Sequence, residues 1–149
     1  MPQSIRTWNE LVKLLDLEPG PGTLQSAALL CRETSLEADR LLDGSDLFYL
    51  RLRLDAAELH LRAVGANDET VVAPAPPWTP KATHDLTTSP PWSNLAGKFL
   101  SRAWRLFNDR GYADGISLEF GLDGEQSRVL VETSASSFRV SVVESRSLF

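Results

Sequence analysis

The chain has 149 residues, 42% of them hydrophobic and 23% charged, which is the make-up of one ordinary globular domain. Its net charge of −5 argues against a protein that coats nucleic acid, because such binding works by neutralising phosphates with Lys and Arg; it is compatible with a basic protein partner. The single cysteine, Cys31, excludes an internal disulfide, and no apolar run approaches the ~20 residues that span a bilayer, so a cytoplasmic protein is expected.

Ile5, Trp8, Val12 and Leu15 step by three and four, and Thr7 with Glu10 has capping-box spacing. A helix is therefore predicted over residues 5–17, closed by the Pro and Gly of "EPGPG" at 18–22. Residues 24–43 predict a second helix, on Ala27, Ala28, Leu30, Cys31, Leu41 and Leu42; a strand over 24–31 is the alternative. From Leu47 the period changes to two. Phe48, Leu50, Leu52 and Leu54 alternate with Tyr49, Arg51 and Arg53, and Leu59, Leu61 and Ala63 alternate with Glu58, His60 and Arg62. This is a half-buried antiparallel hairpin turned at Asp55-Ala56-Ala57, with "NDETVVAP" as a short third strand.

Residues 73–92 hold six prolines and four threonines, so neither helix nor central strand can run through them. The plainest reading is a crossover pinned to the core by Trp78 and Trp92. The others are a partner-binding loop and a proline-rich ligand for a foreign groove. Beyond it, Leu95, Phe99, Ala103 and Leu106 form a helical stripe broadened by Leu100, Trp104 and Phe107, with Ser93 as N-cap and Gly111 at the C-terminal stop. Three strands follow, "ISLEFGL", "SRVLVET" and "SFRVSVVE", turned at "DGEQ" and "SAS".

The expected fold is thus α+β: an antiparallel sheet of five to six strands with helices packed on one face, in a single domain of residues 1–149. Two helix-plus-meander units, 23–73 and 93–144, flank a crossover at 74–92. Leu50 matches Leu118 and Leu52 matches Phe120, which leaves a pseudo-repeat open.

Little in the sequence carries chemistry. His60, His84 and Cys31 are too few for a structural zinc site, and no phosphate-cradling or nucleophile-elbow motif occurs. "DRGYADG" and "LDGEQ" read as turns rather than cation loops. No catalytic residue, metal ligand or cofactor site is assigned. What remains is the polar sheet face, expected to be bare: Tyr49, Arg51, Arg53, His60 and Arg62 from the first meander, Glu119, Asp123, Arg128, Glu132 and Arg139 from the second. With Trp78 and Trp92 of the loop, the first set makes the candidate partner-binding surface. The reading is a non-catalytic protein-binding module, most sharply a masking protein of the immunity or antitoxin kind. A small-molecule enzyme or sensor with a pocket between sheet and loop, and a structural subunit, are the alternatives.

Overall fold

The computed structural model describes residues 3–32, 48–64, 69–121, 126–134 and 137–143. In chain order these form β1 (Gln3–Ile5), α1 (Trp8–Leu15), β2 (Leu24–Cys31), β3 (Phe48–Leu54), β4 (Ala57–Val64), β5 (Glu69–Ala73), β6 (Ala82–Asp85), α2 (Trp92–Leu95), β7 (Leu100–Phe107), β8 (Ala113–Phe120), β9 (Ser127–Ser134) and β10 (Ser137–Val143). The protein is mostly β. One sheet runs β1-β4-β3-β2-β6 with β5 on the free half of β4, and the second runs β10-β9-β8-β7. The expected layer of helices over a single sheet does not form. Two sheets instead share one core, to which Leu24, Leu50, Leu52, Leu59 and Leu61 come from the first and Leu100, Ile116, Leu118, Phe120, Val129 and Val131 from the second.

Both long helices are corrections, and a bulge contributes to each. The segment 24–31 is strand β2, and 100–107 is strand β7, leaving only the single-turn α2 where a long helix was expected. Each of these strands carries a register shift near its start, between Leu24 and Ser26 in β2 and between Leu100 and Arg102 in β7. A bulge adds one residue to the pleat, so Leu24 and Ala27, and likewise Leu100 and Ala103, point to the same core at a spacing of three. That spacing imitates a helical stripe. The remaining part of the second predicted helix, residues 33–43, lies outside the described residues, as do Leu47, residues 122–125 with most of the predicted "DGEQ" turn, residues 135–136 and Glu144.

The period-two segments form as expected. β3 and β4 pair antiparallel, β5 adds to β4, and β8, β9 and β10 make a meander. What read as two helix-plus-meander units are therefore two antiparallel meanders, β2–β5 and β7–β10, with Leu50 and Leu52 matching Leu118 and Phe120 as inward residues. The sheets are also joined by polar contacts: the buried Thr70 hydroxyl of β5 lies 2.8 Å from that of Thr133 on β9 and donates to the Asp114 carbonyl at 3.0 Å.

Helix α1 forms, two to three residues shorter at each end than predicted. Thr7 caps it by accepting from the Glu10 amide at 3.1 Å, while the Glu10 carboxylate reaches past the cap to accept from the Arg6 amide at 2.7 Å. Leu11 is its buried residue; Val12, expected in the stripe, is exposed, and Ile5 belongs to β1. Among the described residues no helix is long and apolar enough to cross a membrane.

The proline-rich segment is an anchored crossover. Trp92 is buried in the main core on α2, Trp78 packs on the outer side of the first sheet, and between them β6 adds to the β2 edge, where a short strand bounded by prolines is tolerated.

Candidate functional site

Among the described residues the two polar sets lie on opposite outsides of the sandwich rather than on one face, because the inner faces of both sheets are spent on the shared core. On the first sheet the register sets Leu30, Tyr49, Arg62 and Val71 in one row and Asp85, Ala28, Arg51, His60 and Ala73 in the next. This face, expected to be bare, is largely covered. Tyr49 is buried with Ala28, Leu30 and Ala73, and the Trp78 ring stands edge-on to it at 5.4 Å. Arg51 and Arg62 are half-buried, Trp92 is a core residue, and only Arg53 is exposed, 3.2 Å from Glu58. The residues named from the sequence on this sheet are thus neighbours, but chiefly as layers of the protein's own packing.

His60 is 1% exposed, with Nε2 3.5 Å from a Glu58 carboxylate oxygen and Nδ1 without a hydrogen-bond partner. Burial holds its pKa below the ordinary value of 6.5; Glu58 opposes that shift, and Arg51 and Arg53 reinforce it. The unfolded chain therefore takes up the His60 proton more readily than the folded one. Stability from this group is complete above about pH 6.5 and is lost as pH falls from there through the folded-state value. The denaturation midpoint is expected to drop between about pH 7.5 and pH 5, and His60→Gln to flatten that slope. An unchanged slope in the variant would remove His60 as its source. Asp55 and Asp85, whose hydrogen bonds hold them below the ordinary 3.8, act only at lower pH.

His84 sits opposite Leu29, on the other face of the sheet from His60, so the two imidazoles do not converge. Cys31 is buried on that inner side with Phe48, and burial raises its thiol pKa, which suits a packing residue rather than a nucleophile. Among the described residues no three His, Cys, Asp or Glu side chains group as a metal site.

The second sheet carries the more provocative surface. Outward along β7, β8 and β9 the rows read Arg102–Glu119–Arg128, then Trp104–Ser117–Leu130, then Leu106–Gly115–Glu132. Arg128 lies over the Trp104 ring, its guanidinium carbon 4.3 Å from the centroid. Glu119 is held between two guanidiniums, Oε2 at 3.7 Å from Arg102 and Oε1 at 3.8 Å from Arg128. These distances are ion pairs but not hydrogen bonds. Glu119 is 5% exposed and Ser117 4%, yet Oε2 of the one and Oγ of the other have no hydrogen-bond partner. Trp104, Arg105, Leu106, Ser117, Arg128 and Leu130 line an open cleft of about 400 Å3 on this face. Buried polar atoms normally find partners, so the unpartnered Ser117 hydroxyl in its lining singles this cleft out as the candidate binding site.

Sequence reading grouped Glu119, Arg128, Glu132 and Arg139 as one polar set but missed Trp104, which it had assigned to a helix. The signal was present: Arg102, Trp104 and Leu106 alternate as a strand requires. Asp123 lies outside the described residues.

A family model matches residues 32–147, most of the chain, and the family is described as one of unknown function. No curated protein and no solved structure matches.

Proposed function

Because the chain belongs to DUF6334, a family of unknown function, its role is read from its own surface, and we propose that it is a protein-binding module docking its partner on the outer face of the β7–β10 sheet. The observation that carries this reading is the convergence of Trp104, Arg128 and Ser117, whose buried Oγ has no hydrogen-bond partner, on one open cleft. Trp and Arg are the side chains that most often dominate binding energy. Leu106 and Phe107 continue the surface at 40% and 59% exposed, an apolar margin beside the arginines.

The overall acidity first favours a basic partner, but charge acts locally, over about 8 Å at physiological salt. Arg102 and Arg128 flank the enclosed Glu119 carboxylate, and Arg105 and Arg128 line the cleft, which suits an acidic segment instead. In its sharpest form the module masks a working surface of its partner, as an immunity protein does, and the bound partner then loses activity.

The test is cross-linking in a native lysate, identification of the partner and measurement of affinity with both proteins purified. Trp104→Ala is expected to weaken binding by about 30-fold, the loss typical of a central aromatic anchor. The fold is expected to persist, because Trp104 faces away from the shared core. Equal affinity in a folded variant, or no saturable partner, would overturn the reading.

A further inference from the structure

Strand β7 is the end of its sheet: it pairs with β8 along one side, and among the described residues no strand pairs with the other. An unpaired edge offers a row of backbone donors and acceptors, and proteins usually blunt such edges with bulges and charges. Both devices are present, but they leave a gap. The register shifts fall between Leu100 and Arg102 and between Leu106 and Phe107, so residues 102–106 run in unbroken register against β8. Between the two shifts the ladder is regular.

Depressions flank this stretch on both sides. The cleft already described lies over its outer side, and a second groove of about 430 Å3 runs between it and α1, lined by Val12, Leu15, Asp16, Ser101, Arg102, Ala103 and Trp104. Trp104 borders both. A strand laid along the edge sends alternate side chains to its two faces, so each depression would receive one set. Each face also has a cation within reach. Arg102 is on the outer row with Glu119, and Arg105 is opposite Ile116 on the inner row, its guanidinium 5.1 Å from the Trp8 ring centroid of α1. Arg128 adds a third charge over Trp104.

We infer that β7 is a strand-addition site for an extended acidic segment of a partner protein, with carboxylates reaching Arg102, Arg105 and Arg128 and apolar side chains filling the two depressions beside Trp104. The inference rests on the docking reading above and specifies how the partner is held. Charge selects the occupant. A second copy of the chain pairing β7 with β7 would bring together two strands that carry arginines and no carboxylate, so neither offers the other a complementary charge. An acidic strand meets complementary charge along the same edge.

The experiment selects short random peptides on the immobilised full-length chain, then follows amide hydrogen exchange with the synthetic winners bound. Expected are peptides in which Asp or Glu interleaves with apolar residues, and exchange protection over residues 101–106. N-methylation of alternate peptide amides should abolish binding, since it removes the donors of the new ladder. Arg102→Gln with Arg105→Gln should weaken it by about tenfold at low salt. Enrichment of basic or neutral peptides, no enrichment, binding that survives N-methylation, or an unprotected β7 would each overturn the proposal. So would a dimer of the chain that protects β7 without peptide. Loss of the partner on Trp104→Ala with β7 still exchanging freely in the complex would leave the docking reading standing and remove strand addition alone.

Discussion

Phe120→Ala is expected to lower folding stability by about 3–5 kcal/mol, a large share of the ~5–15 kcal/mol that holds a domain of this size. Phe120 is a large, fully enclosed side chain on β8, between β7 and β9, facing the other sheet. Truncation removes apolar burial and leaves a cavity as well. The walls cannot close it cheaply, because each is a hydrogen-bonded sheet that moves only as a unit. Urea titration at neutral pH measures the loss. Val142→Ala, at a residue 56% exposed on β10, is the matched control and should stay within about 0.5 kcal/mol. A Phe120 variant losing less than about 1 kcal/mol would mean that the two sheets are not packed through this residue.

Gly22→Ala is expected to cost about 2–3 kcal/mol through two separable effects. Gly22 has φ +95°, where a side chain is strained, and a Cβ there would stand 2.6 Å from the Asp55 Cβ. Asp55 cannot yield freely. Its carboxylate accepts from the Thr23 amide at 2.7 Å, from the Thr23 hydroxyl at 2.8 Å and from the Gln25 side-chain amide, and these bonds hold its pKa below the carboxylate norm. The segment also joins the two sheets: Pro21 accepts from the Ala56 amide at the β3–β4 turn, and Gly22 from the Leu100 amide at the start of β7. Gly97→Ala separates the effects. That glycine has φ +84° and nothing within 4 Å of its would-be Cβ, so only backbone strain of about 1 kcal/mol applies. Equal losses at the two glycines, measured by chemical denaturation, would show that the contact with Asp55 contributes nothing.

The candidate site was legible only in pieces. The alternation of Tyr49, Arg51 and Arg53, and of Glu58, His60 and Arg62, correctly placed each set on one side of its strand. It could not tell that Trp78 and the proline-rich segment fold back over that side, since a roof is a long-range contact with no local period. The opposite outcome holds on the other sheet, where Trp104 was missed and the open cleft lies.

By itself the sequence determined the capped start of α1, the β3–β4 hairpin and the β8–β10 meander. In each, a local rule decides: a hydroxyl three residues ahead of a carboxylate, or apolar side chains at every second position facing one core. Only the tertiary structure decided β2 and β7. Bulges put Leu24 with Ala27, and Leu100 with Ala103, at helical spacing on one face. In β2, burial on both faces also filled the run from Ala27 to Cys31 with apolar residues and erased its alternation. Those two strands take their form from the sheets they join, where pairing with β3 and β8 satisfies the backbone groups along the shared sides.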